Sequence, residues 1–458
     1  MFVAREGELA RFRAFLESGQ NAMLIYGMRR TGKTALIHKA LESWEGKSIY
    51  YQCSQESAKV NLDALVEEYG LVFGDSNRHF ETLPDFFRFL ARLATPIVVV
   101  LDEYNYLKDG YGKTQTDSMM QRIIDSIQGT TLKVVLCGSE VTVMKELLDH
   151  DNPLFDRFST TIHVRPFDYY DSSLFSKEAD VRDKVLIHSI FGGLPAALKE
   201  VRLDQSIEKN IKALLLDPDG RLRILVERTL LMEYRKLGSV SSLLTLIGNG
   251  KRTYAQLRDK LDARNTGNLT KLLSKLETNE SVKRLEPINK PGDDRAAFYT
   301  IGDNLLRFYF TYVHPNRGRI EMLGVDEVYR LFVKDSLDTW VSYRFEEIAR
   351  SYFSRRVRKG LEKDILDIGL YWYDDRKRKT NGEFDCVLAH PDGYEVIEVK
   401  HLAGKMGEEL ALQEKAKIQA IEGLRLSGIG FVSLEGFDFD WPKCRLVTGK
   451  DLYDDRLA

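Results

Sequence analysis

The chain lacks any uninterrupted apolar run of about 18 residues, and only four of its 458 residues are cysteine. The first absence excludes an ordinary membrane-spanning helix, and residues 1–6 do not have the pattern of a signal peptide. The cysteines, at positions 53, 137, 386 and 444, are too scattered to form a metal-type pair. We therefore expect buried thiols in a reducing cytoplasm, and no membrane partner.

Net charge is also nearly absent, since 67 Lys and Arg against 69 Asp and Glu give −2 at pH 7. The charges are unevenly placed, however, because residues 221–320 contain 19 basic and 10 acidic side chains. A local basic excess indicates contact with a polyanion, with a solvated surface of mixed charge as the alternative. The length and the apolar fraction of 43% allow about three domains with real cores.

Residues 27–34 follow the complete pattern G-x-x-x-x-G-K-T of a phosphate-binding loop. Residues 22–26 before it predict a short buried strand, and residues 35–41 after it predict a helix. In that setting Lys33 reaches the β- and γ-phosphates and the Thr34 hydroxyl holds Mg²⁺. The sequence therefore predicts ATP or GTP binding with Mg²⁺, with nucleotide contacts from Gly27, Met28, Arg29, Arg30, Thr31, Gly32, Lys33, Thr34 and Ala35.

Two further strands end in polar residues. Residues 97–101 are aliphatic and β-branched, as in a parallel strand buried on both faces, and Asp102 and Glu103 follow them. We expect Asp102 to hold the magnesium and Glu103 to orient or deprotonate the attacking water, which favours hydrolysis over simple binding. Residues 132–137 form a third strand, and Ser139 after it either touches the γ-phosphate or belongs to an ordinary Gly-Ser turn.

The order of elements predicts an α/β chain of four parts: a P-loop ATPase core (1–165), a helical lid (166–220), a winged helix (221–320) and a nuclease-like α/β domain (321–458). The winged helix is predicted from a helix starting at Thr253, a second helix over 268–276, and strands over 282–288 and 297–301. Its expected nucleic-acid contacts, DNA being favoured, are Asn268, Thr270, Lys271 and Lys275, with Lys290 and Arg295 on the wing. A module that packs between domains is the alternative.

A second constellation lies near the C-terminus. Residues 381–388 and 394–400 predict a hairpin in which Glu398 and Lys400 share one strand face and Asp385 is their neighbour. Two carboxylates and a lysine are suited to holding Mg²⁺ and activating water beside a scissile phosphate. A predicted helix over 340–353 offers Glu346 as a further acid, and the basic run Arg376, Lys377, Arg378 and Lys379 suits a phosphate backbone.

This constellation resembles the PD-(D/E)xK nuclease superfamily, with Asp385, Glu398 and Lys400 at its D…ExK positions. The chain as a whole resembles the archaeal-type ATPase family of the AAA+/STAND class, which has a nuclease-like C-terminal domain. The resemblance covers nearly the whole chain, with matching points at residues 2–9, 27–34, 101–103, 138–139, 153–157, 192–195 and 303–308.

The resemblance implies that Arg5 lies near the nucleotide base. It also implies that Arg157 approaches a phosphate in cis or in trans, which a homo-oligomer would allow. Asp156 stands where the family usually has glycine, so a structural ion pair is the alternative role for Arg157.

Our leading hypothesis is an ATPase that acts on DNA and couples its nucleotide state to the nuclease-like domain. The main alternative is a nucleotide-driven switch of STAND type whose C-terminal domain only binds. A third hypothesis is a defence effector whose nuclease activity begins only after a trigger, and the sequence does not distinguish it from the leading hypothesis.

Overall fold

The computed structural model describes residues 2–234, 237–250, 252–261, 269–375 and 380–457. The chain divides into two compact units, Met1–Pro166 and Phe167–Ala458, which we call unit 1 and unit 2. Within the described ranges, no helix is both long enough and apolar enough to cross a membrane.

The strands of unit 1 form one parallel sheet in the order β2-β3-β4-β1-β5. β1, β3 and β4 are buried along their whole length, as expected for strands covered on both faces. The predicted α/β class and the three predicted strands are confirmed. The bounds are β1 (Ala22–Tyr26), β2 (Lys47–Gln52), β3 (Ile97–Asp102), β4 (Leu132–Gly138) and β5 (Thr160–His163).

Helices cover both faces of this sheet, and alternate strand residues enter two different cores. Ile97, Val99 and Leu101 pack with the helices that follow β2 and β3. Val98 and Val100 pack instead with α1 and with the helix after the glycine-rich loop. The helices are α1 (Glu6–Glu17), α2 (Lys33–Leu41), α3 (Ala58–Phe73), α4 (Leu83–Leu90), α5 (Tyr104–Tyr111), α6 (Lys113–Ser126) and α7 (Val141–Glu146).

This alternation decides where the acids at the end of β3 point. Successive side chains of a strand face opposite sides, so Asp102 continues the row of Val98 and Val100. That row faces α2, whose first turn contains Thr34. The packing of an apolar strand thus brings a carboxylate to the start of the helix that follows the loop.

Unit 2 begins with helices α8 (Tyr169–Ser173), α9 (Val181–Phe191), α10 (Pro195–Leu198), α11 (Ile207–Ile211) and α12 (Arg221–Glu233). The loop before α10 needs glycine at position 193, because a Cβ there would lie 2.0 Å from the carbonyl oxygen of Phe167. The Phe167 amide also donates a hydrogen bond to the Gly193 carbonyl at 2.8 Å. Helices α8 to α11 lie in the segment 166–220 that the sequence predicts as a helical lid.

Residues 237–301, which we call the helix module, combine helices with a small antiparallel sheet of order β6-β8-β7. Thr253 caps α14 in a reciprocal capping box with Gln256, as the Thr start signal predicted. The elements are α13 (Leu237–Gly248), β6 (Arg252–Thr253), α14 (Tyr254–Lys260), α15 (Leu269–Thr278), β7 (Val282–Leu285) and β8 (Phe298–Ile301).

Four α-helices, with short π- and 3-10-helical segments between them, lead from this module to a second sheet: α16 (Asn304–Phe308), α17 (Arg317–Leu323), α18 (Val325–Val328) and α19 (Leu337–Arg358). The sheet, called the C-terminal sheet, has the order β13-β12-β11-β10-β9. β9, β10 and β11 are antiparallel, whereas β12 and β13 run parallel to β11. Its elements are β9 (Asp367–Asp375), β10 (Thr380–His390), β11 (Gly393–Lys400), α20 (Glu408–Gln419), β12 (Leu426–Ser433) and β13 (Arg445–Thr448).

Candidate active sites

The glycine-rich loop closes tightly between β1 and α2. At Gly27 a Cβ would lie 2.1 Å from the carbonyl oxygen of Val164, so a larger residue cannot enter this turn. Gly32 has a left-handed backbone (φ 94°) and is the N-cap of α2. Buried Thr31 donates its hydroxyl proton to the Met28 carbonyl at 2.9 Å. The loop is therefore held in shape by its own groups and aims the N-terminus of α2 into the site.

Lys33 points back along this loop. It is only 6% exposed, and its Nζ donates to the carbonyl oxygens of Gly27 at 2.8 Å and Met28 at 3.0 Å. Burial lowers its pKa, although the negative groups nearby, Glu103 and Asp102 among them, oppose that shift. An ammonium bonded to neutral carbonyls is well placed to exchange them for phosphate oxygens.

Thr34 and Asp102 meet as the strand alternation requires. The Thr34 Oγ1 donates to Asp102 Oδ2 at 3.2 Å, and the backbone amide of Glu103 donates to Asp102 Oδ1 at 2.9 Å. The described residues contain no group of three or more His, Cys, Asp and Glu side chains placed to hold a metal ion. Magnesium usually takes one or two protein oxygens plus phosphates and water, so the hydroxyl and carboxylate found here fit that ion.

Tyr50 also reaches Asp102, and sequence reasoning missed it. Its hydroxyl donates to Asp102 Oδ2, and its ring packs at 4.9 Å from the ring of His38 on α2. Burial, and then the hydrogen bond and charge of Asp102, raise the pKa of this phenol well above its ordinary value. The available signal was the alternation of β2, in which Ile49 and Tyr51 are buried in one core and Tyr50 faces the other.

Glu103 and Ser139 are brought together at the ends of β3 and β4. The Ser139 Oγ donates to Glu103 Oε2 at 2.7 Å, and the Ser139 amide donates to the same oxygen at 3.2 Å. Glu103 has a left-handed backbone (φ 51°) at the N-cap of α5. The serine predicted to sense a phosphate thus fixes the orientation of the carboxylate predicted to act on water.

The predicted arginines have partners inside unit 1. Arg5 donates to the Thr31 carbonyl at 3.1 Å and pairs with Glu8 at 3.0 Å. It therefore stabilises the backbone of the glycine-rich loop at Thr31. Arg29 donates to the Tyr106 hydroxyl at 2.7 Å, and Arg30 adopts a left-handed backbone (φ 68°). A role for Arg5 beside the nucleotide base remains a prediction.

Arg157 forms a two-pronged ion pair with Asp125, with N–O distances of 3.0 and 3.2 Å. Of the two roles that the sequence allows, this geometry favours the structural pair. The approach to a phosphate remains a prediction.

The predicted C-terminal constellation is an ion-pair cluster. Lys400 Nζ lies 2.8 Å from Glu398 Oε1 and 3.3 Å from Glu414 Oε1, which α20 supplies. Burial first, and then the charges of Glu414 and Asp385, raise the pKa of Glu398 against the lowering effect of Lys400. The sequence analysis did not predict Glu414. It lies on α20, 14 residues after Lys400, and the pattern of that helix does not show which of its acids faces Lys400.

Asp385 and Glu346, the other two acids predicted for this site, lie on β10 and α19. Arg350 of α19 donates to the Asp385 carbonyl, and β10 changes its pairing register with β9 between Phe384 and Val387. Burial first, together with the charges of Asp385 and Glu346 among others, sets the pKa of the Cys386 thiol at about 12. The charges of both predicted acids therefore act on the same buried thiol of β10.

The predicted nucleic-acid contacts are only partly described. Thr270, Lys271 and Lys275 lie on the exposed side of α15, opposite its buried leucines. Asn268 and the basic run Arg376, Lys377, Arg378 and Lys379 lie outside the described residues. Arg295 is exposed, whereas Lys290 lies over the ring of Trp372 at 5.5 Å.

The loop between β7 and β8 packs on the C-terminal sheet. Pro287 bridges to Leu370, and the Ile288 amide donates to the Leu370 carbonyl at 2.8 Å. Asn289 exchanges two hydrogen bonds with the backbone of Trp372, at 2.7 and 3.0 Å. This loop therefore covers edge strand β9, which is the packing role that the sequence left open as an alternative.

Residues 2–201 match the family described as "ATPase domain predominantly from Archaea". This segment is therefore similar to archaeal ATPase domains. Residues 309–416 match a second family, described as "Archaea bacterial proteins of unknown function". The similarity to ATPase domains agrees with the loop, strand and acid geometry of unit 1, whereas the second description assigns no chemistry to the ion-pair cluster.

Individual relatives of this chain have low sequence identity to it. An uncharacterised protein of Methanocaldococcus jannaschii is 26% identical over 382 residues, covering 81% of this chain and 82% of that protein. The Walker-type ATPase PABY2304 of Pyrococcus abyssi is 18% identical with a TM-score of 0.49, covering 68% of this chain and 96% of its own. The ORC2 protein of Aeropyrum pernix is 13% identical with a TM-score of 0.44, covering 71% and 94%.

Proposed function

We propose that the chain is a magnesium-dependent ATPase whose nucleotide state controls nucleic-acid binding, to DNA in the first place, and a nuclease-like centre in unit 2. The observation that carries the ATPase half is the convergence of Lys33, Thr34, Asp102 and Glu103 at the carboxyl ends of β1 and β3. Ligands of open α/β sheets bind at that edge.

Each residue has a distinct task in hydrolysis. Lys33 gives up the loop carbonyls and donates to the β- and γ-phosphate oxygens. Thr34 and Asp102 hold the magnesium, which neutralises charge on those oxygens when bound. Glu103 accepts a proton from the attacking water or orients it, and Ser139 holds the Glu103 carboxylate in one direction.

The test of the ATPase half is phosphate release by the purified chain from ATP, compared with GTP, in magnesium and in EDTA. Release that requires magnesium supports the proposal. Absence of release from both nucleotides in magnesium would overturn it.

The nucleic-acid half is supported by three features of unit 2. The helix module has the order helix, strand, helix, helix, hairpin, with sheet order β6-β8-β7, as in a winged helix. The sequence α19-β9-β10-β11-α20-β12 suits a PD-(D/E)xK core, with Glu398 and Lys400 on one face of β11. Residues 221–320 also have the basic excess that a phosphate backbone requires.

Cleavage of supercoiled plasmid and single-stranded DNA, with Mg²⁺ or Mn²⁺ and with or without ATP, tests this half. Glu398→Gln removes one of the two carboxylates of the cluster. Glu409→Gln changes an exposed acid of α20 and is its matched control. Cleavage lost only in Glu398→Gln supports a DNA nuclease, whereas a wild-type chain that cleaves neither DNA substrate rejects it.

The second candidate is a nucleotide-driven switch of STAND type with a C-terminal domain that only binds. One observation favours it: Lys400 is already neutralised by Glu398 and Glu414, so the cluster is closed by its own ion pairs. Assembly size and DNA affinity, measured with ATP, with ADP and without nucleotide, separate the two. Nucleotide-dependent assembly without DNA affinity identifies the switch.

A further inference from the structure

Tyr50 lies on β2, the strand that pairs with β3 in the ATPase sheet. In the register of this pair, Tyr50 is opposite Val100 and Gln52 is opposite Asp102. Tyr50 and Asp102 therefore lie on the same face, offset by two residues along the strands, and this face is covered by α2. A tyrosine is long enough to span that offset and place its hydroxyl at the carboxylate.

The Asp102 carboxylate accepts hydrogen bonds from at least three elements. Its Oδ1 accepts the Glu103 amide at 2.9 Å from the start of α5. Its Oδ2 accepts the hydroxyl of Tyr50 from β2 and that of Thr34 from α2, the latter at 3.2 Å. Side-chain donors from both neighbouring elements thus meet at a single oxygen.

The hydroxyls of Thr34 and Tyr50 have different roles in the proposed reaction. Thr34 is exposed and is the hydroxyl that a phosphate-loop ATPase uses as a magnesium ligand. Tyr50 is partly buried, with its ring against His38, and its phenol has no such second task. Tyr50 can therefore keep orienting Asp102 while Thr34 serves the cation.

We propose that Tyr50 is a positioning residue for the magnesium site: its hydroxyl holds the Asp102 carboxylate in the orientation that magnesium–nucleotide binding requires. This inference rests on the proposed ATPase function. Groups that orient a metal-binding side chain typically contribute 10- to 100-fold to metal affinity or activity. The effect should therefore appear in the magnesium dependence, and not in the binding of nucleotide alone.

The test separates the hydroxyl from the ring. Tyr50→Phe keeps the ring against His38 and removes only the donor. Tyr51→Phe is its matched control, because the neighbouring hydroxyl donates to Asn61 at 2.8 Å on the opposite face of the same strand. Both variants lose one hydroxyl from β2, but only the first lies at Asp102.

The probe is a non-hydrolysable ATP analogue, titrated with magnesium while the melting temperature of the full chain is followed. We expect Tyr50→Phe to need about tenfold more magnesium for half of the nucleotide-induced rise. Tyr51→Phe should follow the wild type, and binding of a fluorescent nucleotide in EDTA should be equal in all three. Half-maximal magnesium for ATP hydrolysis should shift in the same direction.

Three outcomes would count against the inference. Equal magnesium dependence in Tyr50→Phe and wild type overturns the role of Tyr50 while the ATPase function stands. An equal shift in Tyr51→Phe assigns the effect to β2 as a whole and also overturns it. A wild-type chain without any magnesium-dependent response to nucleotide overturns the proposed function, and the inference with it.

Discussion

Lys33 of unit 1 and Lys400 of unit 2 occupy comparable places but have different partners. Each lies near the carboxyl end of a strand with acidic side chains close by. Lys33 donates to two backbone carbonyls of its own loop. Lys400 instead forms ion pairs with Glu398 and Glu414.

The partners set the state of each lysine. Burial lowers the pKa of Lys33. Burial also acts to lower the pKa of Lys400, but the hydrogen bonds and charges of Glu398 and Glu414 outweigh it and the pKa is raised. A phosphate arriving at Lys33 displaces neutral acceptors, whereas at Lys400 it must compete with two carboxylates. Unit 1 is thus arranged to receive an anion, and unit 2 must first lose an ion pair.

The strongest test of this contrast is Glu103→Gln, which removes the predicted base and keeps the side-chain shape. We expect ATP hydrolysis to fall by about 10²–10⁴-fold, the usual contribution of general acid–base catalysis. Nucleotide binding should persist, because Lys33 and Thr34 are unchanged. Steady-state phosphate release and equilibrium nucleotide binding measure the two effects.

Glu140→Gln is the control for that variant, because it changes an exposed acid one residue after Ser139. It should hydrolyse ATP like the wild type. Hydrolysis that survives in Glu103→Gln would assign the activation of water to another group.

The next largest effect is expected from Lys33→Ala. Loss of a positioned cationic donor to phosphate should lower hydrolysis by about 10²–10³-fold. It should also abolish the nucleotide-induced rise in melting temperature. Lys39→Ala, on the exposed side of the same helix and paired with Glu42, should leave both unchanged. Retained nucleotide stabilisation in Lys33→Ala would break the assignment of this lysine to the phosphates.

The sequence was sufficient to predict the geometry of the candidate site in unit 1 where that geometry depends on a local pattern. The phosphate loop is one contiguous motif, and the position of Asp102 follows from the alternation of β3. Tyr50 was missed because it is 52 residues from Asp102, and their contact depends on the order and register of β2 and β3. Asp125, the partner of Arg157, was missed for the same reason, being 32 residues away.

The helix module was harder to interpret, because the same elements can bind DNA or pack on protein. The hairpin was predicted, but its loop packs on β9 through Ile288 and Asn289. An exposed sheet edge has unpaired backbone groups, so a loop that covers it is favoured. The residue of β9 that Asn289 contacts, Trp372, is 83 residues further along the chain. A sequence pattern shows which face of an element is apolar, but it does not show which distant surface that face packs against.

Lys400→Met examines the unit 2 side of the comparison. It leaves the Glu398 and Glu414 side chains, only 22% and 12% exposed, without the cation between them. A buried polar or charged group that loses its partner destabilises the folded chain by about 1–3 kcal/mol. The free energy of unfolding should therefore fall by that amount. Urea denaturation measures it, and ATP hydrolysis by unit 1 should remain at the wild-type rate.

Lys417→Met provides the matched control, since its ammonium lies 3.2 Å from the same Glu414 but is 68% exposed. An exposed ion pair contributes about 0–1 kcal/mol, so this variant should unfold close to the wild type. Adding Glu414→Gln to Lys400→Met should restore part of the lost stability, because one of the two facing charges is removed. Equal losses from both lysine variants would show that burial of the cluster does not matter.

The smallest expected effect is the pH dependence of that loss. The pKa of Glu398 in the folded chain is raised above its ordinary value of 4.5. Between these two pKa values the folded chain binds more protons than the unfolded chain, so stability falls as pH rises through the window. Lys400 lowers the Glu398 pKa, and its removal must therefore raise it further and widen the window.

The stability lost in Lys400→Met should accordingly be greater near pH 8 than near pH 5, where Glu398 can take up a proton and needs no cation. Urea midpoints of both proteins at the two pH values give the comparison. A loss that is independent of pH would mean that Glu398 stays ionised without Lys400, held by other groups. The lysine of unit 2 would then resemble that of unit 1, available to a phosphate and not needed to neutralise its neighbours.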